Sequence, residues 1–274
     1  MYVIGELINS TRKRIREAVL ARDAGYVREV AVKQRDAGAD RLDVNGGVAG
    51  QEAECLKWLV GVVQEAVDLP LCLDSSDAEA LRAALPLVKG QPMINSITDE
   101  DARFAAILPL LKEYGAKVIA LSMGASGPPS GLEDRVATGC RLVDRLTAAG
   151  IALDDIYVDP CVLPVSTGPE HGRAVADAVG KIMSRYPGVH TSVGLSNVSF
   201  GLPVRKLLNE TFLVLLMSRG LDAAIVDPCD RQLMANLLAA EALLGRDEYC
   251  AGYLKAYRAG KLEPPATAEE AIRR

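Results

Sequence analysis

The sequence predicts a single-domain α/β fold, a (β/α)8 TIM barrel, and three observations predict it. Eight short runs rich in Val, Ile and Leu recur along the chain, helical segments stand between them, and most of the runs end on polar residues. Continuous apolar runs of this kind belong to strands buried on both faces, as in a parallel sheet covered by helices. A length of 274 residues suits one such barrel.

The first strand is expected at 2–6 ("YVIGE"), and the basic stretch "TRKRIR" at 11–16 reads as a solvated helix start. The second strand, "DRLDVN" at 40–45, leads to the helical segment "EAECLKWLVGVVQEAV". The third, "LPLCLDS" at 69–75, runs into "DSSDAEAL", where Asp77 can cap the next helix by accepting a backbone N–H. "PMINSIT" at 92–98 precedes the helix "RFAAILPLLKEYG", and "KVIALSM" at 117–123 precedes "VATGCRLVDRLTAAG". Both helices end at the Gly expected just past a helix C-terminus. "DIYVDP" at 155–160 and "HTSVGLSN" at 190–197 follow, then the helix "VRKLLNETFLVLLMSRG" and the last strand "DAAIVDP" at 222–228. A final helix begins after residue 247; Pro264 and Pro265 then break the pattern, so the barrel is expected over 1–261 and a mobile tail over 262–274. An open doubly wound sheet is the alternative, but the GxGxxG fingerprint it would carry is missing after the first strand.

Hydrophobic residues make up 49% of the chain and charged residues 24%, enough for a large core. No stretch reaches the roughly 18 uncharged apolar residues of a membrane span. The N-terminus lacks a basic region, apolar core and small-residue cleavage site, so a cytoplasmic protein is expected. Net charge is −5 with scattered Lys and Arg, which gives no electrostatic footprint for nucleic acid. The six cysteines form no CxxC pair and only His171 and His190 could add imidazole, so neither a disulfide framework nor a protein-bound metal is expected. Cys161 and Cys229, each in a "VDPC" stretch, read as small, buried, reduced side chains rather than soft-metal ligands, and His171 as a solvated helix-start residue.

In a barrel of this kind the chemistry is built at the C-terminal ends of the strands. Those ends carry Glu6, Asp43 with Asn45, Asp74 with Ser75, Asn95 with Ser96, Ser122, Asp159, Ser196 with Asn197, and Asp227, and no Lys, Arg or His. Strand-end Asp and Asn also cap helices and brace loops, so each has a structural alternative. Acids crowded together repel when ionised, which calls for raised pKa values or a ligand rich in N–H donors. Asn95 and Asn197, each offering donor and acceptor in one plane, suit a ring with mixed donors and acceptors.

The stretches "IGELIN", "LDVNGG", "LCLDSS", "MINSIT", "YVDPCVLP", "VGLSNVSFG" and "NETFLVLLMSRGLDAAIVDPCD" resemble, in order over residues 1 to about 257, the pterin-binding corrinoid methyltransferases. That family moves a methyl group between methyltetrahydrofolate and a corrinoid cobalt. The resemblance implies that Asp74, Asn95 and Asp159 hold the pterin ring, with Asp159 chiefly on the 2-amino-pyrimidinone edge, while Asn197 approaches N5. Glu6, Asn45, Gly194 and Ser196 complete the expected pterin pocket. The proton for N5 is expected through water or an acidic neighbour such as Asp43, and Phe200 and Arg205 are expected to face the corrinoid or its carrier protein. The corrinoid itself is expected on a separate protein, since no DxHxxG stretch is present. A homodimer is implied by the resemblance. Two alternatives stand beside it. Dihydropteroate synthase shares the fold and much of the pocket but is expected to carry late-strand basic residues, where this chain has "GLSN" and "IVDPCD". The other is a non-catalytic pterin-binding protein.

Overall fold

A computed structural model describes residues 1–262, so the expected tail lies, beyond its first residue, outside the described residues. Eight strands form one parallel sheet: β1 (Tyr2–Asn9), β2 (Arg41–Asn45), β3 (Leu71–Asp74), β4 (Met93–Ile97), β5 (Lys117–Leu121), β6 (Ile156–Asp159), β7 (His190–Thr191) and β8 (Ala223–Val226). Each pairs with its sequence neighbour, β1 also pairs with β8, and Ile225 N–H donates to Val193 O at 2.9 Å, closing the ring between β7 and β8. Around it run α1 (Lys13–Ala21), α2 (Ala24–Ala37), α3 (Glu52–Ala66), α4 (Ala78–Ala84), α5 (Asp101–Tyr114), α6 (Leu132–Ala148), α7 (His171–Arg185), α8 (Arg205–Met217), α9 (Arg231–Leu243) and α10 (Ala251–Arg258). All eight expected strands form, as does the Asp77 cap, whose carboxylate accepts from Glu79 N–H at 2.9 Å.

Most of the buried apolar side chains lie between strands and helices. A second, smaller layer of Ile4, Cys72, Met93, Ile119, Tyr157 and Ala223 fills the lumen at mid-height. The barrel is therefore a packed core with polar residues above that layer. At the opposite end, His190 Nδ1 meets Asp222 Oδ2 at 2.7 Å, its ring stacks on Tyr157, and Arg41 donates to Leu71 O at 2.6 Å. These contacts seal the floor and leave the mouth as the end open to a substrate.

β1 runs longer than its expected five residues and carries an irregularity in its pairing with β2 between Gly5 and Ile8. Gln34, buried on α2, fills the gap and accepts Leu7 N–H at 2.9 Å. A Cβ on Gly5 would lie 2.5 Å from Gln34 Oε1, so the bulge that aims Glu6 into the mouth needs a glycine. Gly5→Ala is expected to destabilise the fold by about 1–3 kcal/mol through overpacking. Urea unfolding of the variant against the parent checks this.

β7 is the element that departs most from expectation. Regular pairing ends at Thr191, and the rest of the expected strand at 190–197 passes Gly194 into a 3-10 turn over Leu195–Ser199. Ser199 Oγ donates to Asn209 Oδ1 at 2.7 Å, and the Arg205 guanidinium donates to Ser199 Oγ and Ser196 O at 3.0 and 2.6 Å. Side-chain bonds to the loop thus compete successfully with the ladder. Ser196 and Asn197 sit on that turn, not at a strand end.

Candidate active site at the barrel mouth

Register places Asn45 beside Asp74 and Asp74 beside Asn95, so β2, β3 and β4 present one polar wall. Asn45 Nδ2 donates to Asp74 Oδ2 at 3.0 Å, which leaves Asp74 acceptor capacity toward the mouth. Burial raises the Asp74 carboxyl above its ordinary range, while the Asn45 bond and the Arg103 charge hold it down. Asp43, expected at the mouth, lies one pleat lower, level with Cys72, and is 2% exposed. A strand shows the same face every second residue, so with Asn45 at the rim Asp43 must be deeper. Asn95 Nδ2 donates to Asp43 Oδ1 at 3.3 Å. Burial and then the Asp74 charge push the Asp43 carboxyl well above its usual range.

Asp159, at the end of β6, accepts Cys161 N–H at 2.7 Å and also the Gly194 N–H. Burial lifts its carboxyl to about 6 against those two bonds. Asp227 braces its own loop in the same way, accepting Cys229 N–H at 2.9 Å. Asp227 also lines the cavity beside Glu6, and Asp159 combines loop bracing with a carboxylate kept in the barrel interior.

On the remaining side, Glu6 Oε1 pairs with Arg12 at 2.5 Å and Glu6 Oε2 accepts from Ser196 Oγ at 3.3 Å. Burial raises the Glu6 carboxyl, Arg12 lowers it, and Asp227 raises it again. Asn197 is exposed, and its side-chain amide makes no hydrogen bond among the described residues. A cavity of about 620 Å³ joins Glu6, Arg12, Ser196, Asn197, Phe200 and Arg205. A second, of about 320 Å³, joins Asp74, Asn95 and Arg103. A further hollow, about 750 Å³ among α6, α7 and α8, is lined by surface charges such as Lys181 and Arg219 that already pair with Glu133 and Asp177. It touches no strand-end residue and lies away from the polar wall.

Several expectations need correction. The strand ends carry no cation, but two reach the mouth from elsewhere: Arg12, read as part of a solvated helix start, turns back onto Glu6, and Arg103 reaches in from α5. Neither was legible at a strand end, because a long side chain on a loop or first helical turn folds back over a neighbour. Phe200 is 65% exposed and Arg205 is also exposed, its guanidinium donating to the Asn197 turn. Cys55, Cys72 and Cys140 are buried, whereas Cys229 and Cys250 are exposed and Cys161 is half-buried; all six are unbridged. His171 starts α7 but its ring is largely covered and its Nδ1 is buried without a partner. No group of three or more His, Cys, Asp or Glu among the described residues is arranged to hold a metal, and no helix there is long and apolar enough to cross a membrane.

The sequence matches the family described as "Pterin binding enzyme" over residues 5–227. It is 37% identical over 267 residues to a methylcorrinoid:tetrahydrofolate methyltransferase from Eubacterium limosum, covering 96% of this chain and 98% of that one. It is 34% identical over 238 residues to methionine synthase from Mycobacterium leprae, covering 82% of this chain and 20% of that protein. Among solved structures, dihydropteroate synthases from Yersinia pestis and Vibrio fischeri superpose with TM-scores of 0.67 and 0.68, each at 17% identity over 89% of this chain and 94% and 93% of theirs. At that identity the superpositions establish a shared barrel, while the likeness to the Eubacterium protein runs over nearly the full length of both chains. The chain therefore belongs to the family of pterin-binding enzymes, in the branch of the corrinoid methyltransferases.

Proposed function

We propose that this protein moves a methyl group between N5 of tetrahydrofolate and the cobalt of a corrinoid carried by a separate protein in the cytoplasm. The observation that carries this reading is a wall of acids and amides, Asp74, Asn95 and Asp159, sharing one mouth with the exposed, unbonded amide of Asn197. Asp159 takes the 2-amino-pyrimidinone edge, where two N–H groups match one carboxylate, and Asp74 and Asn95 take the remaining ring nitrogens. Asn45 and Gly194 fix the two carboxylates from the side.

A methyl on N5 is a poor electrophile, because displacement leaves an amide-like anion unless N5 carries a proton. When cob(I)alamin attacks that methyl, the N5–C bond breaks, the pair stays on N5, and a Co–C bond forms. In the opposite direction N5 attacks the methyl, the Co–C pair returns to cobalt, and N5 then loses its proton. Asn197 serves both directions: it donates to neutral N5 or, with its amide rotated, accepts from protonated N5. Two acids with raised carboxyls stand near by. Asp43 lies beneath Asn95, and Glu6 touches Ser196, the neighbour of Asn197, which makes Glu6 the better placed proton store.

The Eubacterium relative is named for transfer from a methylcorrinoid to tetrahydrofolate. Phe200 offers an apolar rim for the corrinoid or its carrier, and the exposed Val214 and Leu215 on α8 support a homodimer. A dihydropteroate synthase-like condensation fits less well, since Arg205 holds a turn and Lys206 pairs with Asp230 at 2.9 Å.

Anaerobic mixing with cob(I)alamin and methyltetrahydrofolate, and with methylcobalamin and tetrahydrofolate, tests the reading through the cobalt spectrum. Interconversion is expected. Failure of folate to bind would sink the pterin reading, and binding without transfer to any corrinoid would favour the non-catalytic alternative. Folate binding should also carry an acid limb. Asp159 accepts N–H groups as a carboxylate, so affinity is expected to hold above about pH 6 and fall as pH drops through that value. The limiting slope is about tenfold per pH unit. Calorimetry over the acid range checks it, and a flat profile would deny Asp159 that contact.

A further inference from the structure

Arg103 stands in the first turn of α5 and none of the chemistry above uses it. Its Nε and Nη2 donate to Ser96 O at 3.0 and 2.7 Å, Nη2 also donates to Ser75 O at 2.8 Å, and Nη1 donates to Ser76 O at 2.7 Å. One guanidinium thus joins three carbonyls, two from the loop after β3 and one from the end of β4. Those carbonyls belong to the two residues after Asp74 and the one after Asn95, the two neighbours on the polar wall. A planar fork can hold such an arrangement and a single ammonium cannot span it. Arg103 also shares the 320 Å³ cavity with both side chains.

We propose that Arg103 is a positioning residue for the pterin, tying the loop after β3 to the end of β4 so that Asp74 and Asn95 meet the ring together. The inference rests on the folate reading above. Ser75 N–H donates to Asn95 O at 3.0 Å, so the loop after β3 already touches β4, and Arg103 fixes the angle between them. Its charge opposes the burial that raises the Asp74 carboxyl. Without it, protonation of Asp74 shifts to higher pH and an acceptor facing the ring N–H groups is lost sooner.

The test compares wild type, R103Q and R103K, measuring tetrahydrofolate affinity by anaerobic calorimetry across the acid-to-neutral range, transfer kinetics and melting temperature. R103Q is expected to raise the folate Kd and KM about 10- to 100-fold, the scale of a slight misplacement, with a much smaller change in kcat. Its acid limb should start at higher pH, and that displacement should vanish when R103Q is combined with Asp74→Asn. R103K keeps the charge but not the three-carbonyl bridge, so it should return the limb to the wild-type position and recover only part of the affinity. Equal losses of melting temperature in both variants, with the acid limb unmoved, would reduce Arg103 to a structural brace and overturn the proposal. Unchanged folate affinity in R103Q would overturn it and leave the proposed function standing, whereas a wild type that binds no folate would remove both.

Discussion

Replacing Asn197 by alanine is expected to lower the rate of methyl transfer about 100-fold, near 2.7 kcal/mol of activation free energy, while folate still binds. The ring is held mainly by Asp74, Asn95 and Asp159, so loss of one neutral hydrogen bond to N5 weakens binding by only about 0.5–1.5 kcal/mol. In the transition state the N5–C bond is partly broken and charge at N5 is changing. A donor or acceptor already in place then contributes more than it does in the ground state. Folding should be little affected, since the Asn197 amide is exposed and bonded to none of the described residues. Neighbouring contacts carry the turn instead: Arg205 to Ser196 O and Ser199 to Asn209. Single-turnover mixing with methylcobalamin, beside calorimetric binding of folate, separates the two quantities. An unchanged maximal rate with weakened binding would assign Asn197 to the ring and not to the chemistry.

That turn also marks where the sequence stops being readable. The strands of a parallel barrel are buried on both faces, so "YVIGE", "KVIALSM" and "DAAIVDP" announce themselves without any alternation to interpret. "HTSVGLSN" has the same look, yet only His190 and Thr191 pair regularly, because Arg205 and Asn209, eight and twelve residues downstream of Asn197, bind the loop and bend it. Identity of the wall residues was legible because strand ends face the mouth, but their depth was not. Asp43 and Asn45 share a face, and only the register with Cys72 and Asp74 shows which is at the rim. Arg12 and Arg103 were missed for a related reason: they are positioned by tertiary contact with Glu6 and with the loop after β3 and the end of β4, and no spacing along the chain encodes that.

Asp159→Asn is expected to raise the melting temperature of the folate-free protein while weakening folate binding about 100-fold or more. Folding lifts the Asp159 carboxyl from 3.8 to about 6, so the folded chain binds that proton more tightly than the unfolded one. The ionised carboxylate therefore costs stability above about pH 6, roughly 1–3 kcal/mol, and the cost disappears as pH falls below the unfolded value. A neutral amide of the same shape avoids it, and its oxygen can still accept the N–H of Cys161 or Gly194. Toward the pterin the outcome reverses: an NH2 group turned to the ring meets N–H groups, so two charge-assisted bonds are lost and donors are left facing donors, about 3 kcal/mol or more. Alanine at the same position should bind folate as poorly but fold less well, since it leaves buried N–H groups without an acceptor. Thermal melts of Asp159→Asn, Asp159→Ala and parent at neutral pH, with folate titrations alongside, read both effects. If the Asn variant bound folate like the parent, the carboxylate would be a loop brace like Asp227, and the pterin edge would have to find its acceptor elsewhere on the wall.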